Sequence, residues 1–162
     1  MPRPSKNAYS YALSLLARRD YSLFGLKTKL KSKSYTEEEI SQTIEDLKAK
    51  NYLREENYIQ SKIKYLLKKN YSPFYIEKEL AKEQIKVNKS QILEVASSVN
   101  CYEEDQIKTL FNLKSRLLKP NQKNCYNKLL SSVIQKGHDL QLAKKILKDF
   151  LPKTTHNQYD AE

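Results

Sequence analysis

Glycine is almost missing: Gly25 and Gly137 are the only two in 162 residues. Phosphate-cradling loops of the G-x-x-x-x-G-K-[ST] or G-x-G-x-x-G kind need closely spaced glycines, so neither can be built here. With only five prolines besides, the scarcity argues against a turn-rich β-sandwich and for long helices. Cysteine is equally sparse. Cys101 and Cys125 form no C-x-x-C and stand near no histidine cluster, which argues against a zinc site and supplies no disulfide framework. A reducing cytoplasm is the expected setting. No stretch approaches the ~18–20 apolar residues of a membrane helix. The partly apolar run at 8–17 is interrupted by Tyr9, Ser10, Tyr11 and Ser14 and ends in Arg18-Arg19-Asp20, so it does not read as a signal peptide.

Negative charge is the minority. Thirty Lys and Arg face nineteen Asp and Glu, a formal net charge of +11. Such an excess points to a polyanionic partner: nucleic acid, an anionic surface or a nucleoprotein. The hydrophobic share of 39% supports a core only if the apolar positions are periodic.

They are periodic, and they repeat. Leu15-Leu16-Ala17-Arg18-Arg19-Asp20-Tyr21-Ser22-Leu23-Phe24 matches Tyr65-Leu66-Leu67-Lys68-Lys69-Asn70-Tyr71-Ser72-Pro73-Phe74 at an offset of 50 (72 − 22). The offset carries Leu13 onto Ile63, Leu26 onto Ile76 and Leu30 onto Leu80. Beyond Leu80 an offset of 52 pairs Tyr35, Ile40, Ile44 and Leu47 with Val87, Ile92, Ala96 and Val99. A third copy at a constant offset of 103 takes Leu26, Leu30, Tyr35, Ile40, Ile44 and Leu47 onto Leu129, Val133, His138, Ala143, Leu147 and Phe150.

Each copy resolves into three helices. In the first, helices are expected over 6–19, 23–33 and 37–50. Ser22 is an N-cap and Thr36/Glu39 a capping box. In the second they fall over 55–69, from Pro73 behind the cap Ser72, and from the cap Asn88 to near Val99. The third has 103–118, a linker at 119–123, then 124–136 and 140–151, with Gly137 as C-cap and Asp139 as N-cap. The expected architecture is an all-α, elongated array of three tandem helix-turn-helix-like repeats. A flexible tail at 1–7 precedes repeats at 8–54, 55–101 and 102–151, and a frayed tail follows at 152–162.

These motifs resemble the RecX family, regulators of the RecA recombinase. The likeness is carried by Ala12-Leu13-Ser14-Leu15-Leu16-Ala17-Arg18-Arg19-Asp20-Tyr21-Ser22 with Leu26 and Leu30, and by Tyr52-Leu53-Arg54-Glu55-Glu56-Asn57-Tyr58. Lys69-Asn70-Tyr71-Ser72-Pro73-Phe74-Tyr75-Ile76-Glu77-Lys78-Glu79-Leu80 and Lys136-Gly137-His138-Asp139 extend it to nearly the whole chain. It implies three tandem three-helix units and a monomeric, non-enzymatic, cytoplasmic protein without cofactor. That protein would bind RecA–DNA filaments and mainly inhibit RecA ATPase, strand exchange and filament growth. Single- or double-stranded DNA would be a further partner and a membrane would not. The alternative is a helical nucleic-acid-binding module acting without a recombinase. The chain departs from the family pattern at Gly25, Arg54, Asn70, Phe74 and Tyr75.

The candidate contact residues are cations. Arg18, Arg19, Lys68 and Lys69 recur at the end of the first helix in two copies, as a phosphate- or carboxylate-binding ridge or as complements to the helix dipole. Lys27, Lys31 and Lys78 lie off the apolar face of the second helix, and Lys144, Lys145 and Lys148 cluster on the last, as partner contacts or as a solvated face. Tyr9, Tyr21, Tyr35, Tyr52 and Tyr71 fall at apolar repeat positions and are expected in the core; Tyr11 and Tyr75 are read as exposed rings able to stack on bases. His138 reads as structural. No nucleophile–base–orienter set is visible.

Overall fold

The computed structural model describes residues 7–118 and 124–150. Among these it is entirely helical: α1 (Ala8–Leu16), α2 (Leu23–Lys31), α3 (Glu37–Ala49), α4 (Glu55–Lys68), α5 (Pro73–Ala81), α6 (Lys89–Ser98), α7 (Glu103–Ser115), α8 (Cys125–Ile134) and α9 (Leu140–Phe150). Of the expected tail at 1–7 only Asn7 is described, and it caps α1 by accepting from Ser10 N at 2.8 Å; residues 1–6, the tail at 152–162 and the linker at 119–123 lie outside the described residues.

Helix starts follow their side chains. Ser22 Oγ accepts from Gly25 N at 3.0 Å, and Thr36 and Glu39 bond reciprocally as a capping box. Asn88 and Gln91 form a second box. Asp139 accepts from Leu142 N at 2.8 Å. A cap of this kind contributes about 1 kcal/mol.

The helices are not long. They run from 9 to 14 residues, because the chain turns without glycine. Asn51, Asn70, Gln84 and Asn100 adopt left-handed backbone (φ 50–59°) just past a helix, as Gly137 does at 83°. At each corner the left-handed residue's N–H reaches the carbonyl three back, and the next N–H the carbonyl five back, as in Tyr52 N→Leu47 O at 2.9 Å. This closes the helix as a Schellman turn. Asparagine tolerates the left-handed region better than other side chains. α1 ends without such a corner, at Leu16 with Ala17 as a right-handed C-cap (φ −64°), so Arg18 and Arg19 sit beyond the helix and not in its last turn.

The described chain forms two compact units, one of residues up to 62 with 80–85, the other of 63–79 with 86 onward. The first unit is built on Ala8, Ala12, Leu26, Leu30, Tyr35, Ile40, Ile44, Leu47 and Leu53. The second packs Ile107, Leu110, Phe111, Leu129, Leu130, Val133, Ala143, Ile146 and Leu147 together. There the rings of Phe111 and Phe150 lie 5.5 Å apart. Full burial of each such aliphatic or aromatic side chain is worth roughly 1.5–3 kcal/mol.

Burial also settles the repeat register. Leu26, Ile76 and Leu129 are buried, as are Leu30, Leu80 and Val133, and Ile40, Ile92 and Ala143. Tyr35 corresponds to Ile85 and not to Val87. Each of Tyr35, Ile85 and His138 is buried and directly follows a left-handed residue, Ser34, Gln84 or Gly137. The two extra residues of the second copy therefore fall after Ile85. Val99, paired with Leu47 by offset, is 42% exposed, and Tyr52, expected in the core, is 54% exposed. Both flank a corner, Val99 just before Asn100 and Tyr52 just after Asn51, where the helix has stopped presenting its apolar face.

One polar cluster holds part of the first unit. Tyr58 Oη donates to Glu83 Oε2 at 2.8 Å, and Lys62 Nζ lies 3.3 Å from Glu83 Oε1. Burial first, then the bond to Glu83, pushes the Tyr58 phenol well above the ordinary tyrosine range. Burial also works to raise Glu83, but the hydroxyls of Ser22 and Tyr58 and the Lys62 ammonium outweigh it and hold the carboxyl below 4.5. A carboxyl lowered on folding adds stability above its unfolded pKa and loses it as pH falls through the lowered value. Glu83→Gln is therefore expected to flatten the acid side of the stability–pH curve below about pH 4.5, read by urea unfolding at successive pH values. An unaltered acid side would show that Glu83 titrates as it does in the unfolded chain.

Candidate functional site

The first unit carries Arg18, Arg19, Lys27 and Lys31, all exposed. Arg19 lays its guanidinium 4.6 Å from the centre of the Tyr21 ring. Lys31 pairs with Glu37 at 2.6 Å, so part of its charge is already met by the acidic first turn of α3. The second unit carries the rest. Lys68 ends α4 and Lys69 follows it, with its ammonium 5.8 Å from the Tyr65 ring. Lys78 stands 4.4 Å over Phe74. Lys144, Lys145 and Lys148 lie off the buried Ala143/Ile146/Leu147 face of α9, with Lys145 and Lys148 exposed and Lys144 half-buried.

Cation and ring thus recur together. Tyr65 and Phe74 are each 57% exposed beneath their lysines. A flat ring beside an ammonium can offer a face to a base and a charge to a phosphate. Sequence reasoning missed Tyr65 and Phe74 as exposed rings, although Tyr65-x-x-x-Lys69 and Phe74-x-x-x-Lys78 share a spacing that stacks side chains on a helix. The rings it did name are less available. Tyr11 is half-buried against Tyr35 at 6.1 Å, and Tyr75 is half-buried in a stack on Tyr71 at 4.2 Å. The Lys136 ammonium lies 3.8 Å over Tyr71.

A second constellation lies deeper in the second unit. The His138 side chain is fully buried, with Nδ1 2.8 Å from Glu103 Oε1 and Nε2 3.0 Å from the Asn70 carbonyl. Ser72 Oγ donates to Gly137 O at 2.7 Å and accepts from Tyr75 N. Serine, histidine and glutamate are thus close, but the wiring is not that of a nucleophile. The hydroxyl proton goes to a carbonyl, and the imidazole bonds Asn70 in place of Ser72. What these bonds do is tie the corner before α5 to the corner before α9. In the first unit the counterpart of Glu103 is Glu55, which accepts from Leu23 N at 3.2 Å. Pro73 stands where Leu23 stood and has no N–H to give, which leaves Glu103 for His138. Among the described residues no group of three or more His, Cys, Asp or Glu could hold a metal, and no helix is long and apolar enough to cross a membrane.

Residues 8–47, covering α1 to α3, match the model of the RecX first three-helix domain. The chain is 39% identical over 79 residues to the Regulatory protein RecX of Actinobacillus pleuropneumoniae serotype 5b (strain L20), covering 49% of this chain and 52% of that one. It is 31% identical over 102 residues to the Regulatory protein RecX of Haemophilus influenzae (strain PittEE), covering 61% and 66%. The chain thus spans about half to two thirds of the length of these curated relatives. The crystal structure of RecX from Lactobacillus salivarius superposes with a TM-score of 0.65 at 21% identity, over 88% of this chain and 93% of that one. Another RecX crystal structure does so with a TM-score of 0.67 at 19% identity, over 87% and 70%. At these identities the structural likeness is one of fold. Through the matched first domain and these relatives, the chain belongs to the RecX family.

Proposed function

We propose that the protein is a non-enzymatic, monomeric, cytoplasmic regulator that binds RecA–DNA filaments and mainly inhibits RecA ATPase, strand exchange and filament growth, without a cofactor. The observation that carries this reading is the match of α1 to α3 to the RecX first domain, on a chain with a net charge of +11 suited to a nucleoprotein. Three tandem repeats, at 8–54, 55–101 and 102–151, would each bring a three-helix group to the filament. Arg18, Arg19, Lys27, Lys31, Lys68, Lys69, Lys78, Lys144, Lys145 and Lys148 are the proposed contacts. The lysines paired with the exposed rings of Tyr65 and Phe74 favour a second reading, a nucleic-acid module with no recombinase partner.

Titrating the protein into single-strand-dependent ATP hydrolysis by the cognate RecA separates the two. A filament regulator should inhibit well below one molecule per RecA protomer, because filaments respond cooperatively. A plain DNA binder should inhibit only when it coats the strand. Its inhibition should then fade with rising salt in step with its binding to naked DNA. That parallel loss would sink the RecA reading.

A further inference from the structure

In the second unit, α4 and the corner between α6 and α7 enclose an open hollow of about 430 Å³, within the roughly 300–1,000 Å³ of ligand pockets. Beneath it lies Leu67, 1% exposed and so already covered by its own neighbours. The Leu67 carbonyl is taken by the Gln106 side chain at 2.8 Å, so it makes no polar demand on an occupant. Val99 and Tyr102, 42% and 54% exposed, supply the open apolar surface on one side. Lys64 and Lys68 stand one helical turn apart on the other side, both exposed. Neither has an ion pair among the described residues. Asp105 is the one carboxylate in the lining.

We propose that this groove binds an acidic, extended peptide segment of a protein partner, with one aliphatic side chain on Val99 and Tyr102 and its carboxylates on Lys64 and Lys68. Charge complementarity selects the occupant. Two unpaired ammoniums on one side want negative charge, while exposed Val99 and Tyr102 on the other want an apolar side chain and not a sugar-phosphate. A nucleic-acid strand fits less well, since Asp105 faces the same space and Tyr102 is the single ring lining it. The assignment does not depend on RecA being the partner.

The test uses the full chain and a fluorescein-labelled peptide of alternating Asp and Glu around a central Leu. Fluorescence anisotropy should show binding that weakens about tenfold in Lys64→Glu/Lys68→Glu, because two attractions become repulsions. It should weaken less in Lys64→Gln/Lys68→Gln, with helix content by circular dichroism unchanged in both. Replacing the peptide's Leu by Ala should also weaken it. Cys101 lines the hollow and is half-buried, so the bound peptide should slow its alkylation while sparing that of Cys125, read by mass spectrometry. No binding, affinity unchanged in both lysine variants, or protection of Cys101 by oligothymidylate in place of the peptide would each overturn the proposal.

Discussion

Gly137→Ala is expected to destabilise the second unit by about 2–5 kcal/mol. Two independent effects combine. At φ +83° an alanine Cβ is held against the following carbonyl, which costs roughly 1–2 kcal/mol. That Cβ would also stand 2.8 Å from Ser72 Oγ and 2.9 Å from Tyr75 Cβ. Crowding of this sort in a packed site costs about 1–3 kcal/mol. Relief requires moving Ser72, whose hydroxyl holds the Gly137 carbonyl at 2.7 Å and whose N–H holds the Lys136 carbonyl at 3.0 Å. Urea unfolding followed by circular dichroism measures the loss. Asn51→Ala is the control: it places alanine at another left-handed corner (φ 57°) where the residue is exposed. It should therefore lose only the conformational part. Equal losses at the two sites would mean that the corner around Ser72 yields without resistance.

For the proposed filament regulator, reversing the charge of Arg18 and Arg19 should abolish most inhibition of the recombinase while leaving the fold nearly intact. The expected loss is at least about tenfold in the protein needed for half-inhibition, since two attractions to an anionic filament become repulsions. The small effect on stability follows from the early end of α1. Both arginines lie past its C-cap, where the helix dipole no longer rewards them. Arg19 gives up only its exposed contact with Tyr21, worth roughly 0.5–1 kcal/mol. Lys68 differs because it occupies the last turn of α4, so Lys68→Glu/Lys69→Glu should also lose roughly 0.3–1 kcal/mol of stability. If each pair binds separately, their effects on half-inhibition should multiply, as independent free energies add. ATPase titrations with the two double variants and the quadruple variant decide it. Normal inhibition by both folded double variants would remove these cations from the contact surface, leaving Lys27, Lys31, Lys78 and the α9 lysines.

Much of this protein is legible residue by residue. Helix existence followed from apolar spacing, and helix starts from Ser22, Thr36, Asn88 and Asp139, because a cap is a bond between neighbours three residues apart. The repeat appeared because Leu26, Ile76 and Leu129 must face inward whatever the partner helix, a demand that recurs identically in each copy. The helix ends were harder to see. Asn51, Asn70, Gln84 and Asn100 close their helices in a backbone state that glycine adopts most readily, so these corners carry no glycine signal, while α1 stops before Arg18 and Arg19 at a right-handed Ala17 that no residue type marks.

Other features belong to the fold alone. The pairing of His138 with Glu103 and Asn70, the bonding of Ser72 to Gly137, and the burial of Gln106 against Leu67 join residues 35 to 68 positions apart. Whether Tyr52 or Tyr71 meets solvent, and whether Lys31 is spent on Glu37, likewise depends on which helix arrives from elsewhere in the chain. Periodicity says that a face is covered, because burying apolar surface is non-directional. It cannot say by what, because hydrogen bonds and ion pairs need a particular partner at a particular distance, and only the packed helices supply one.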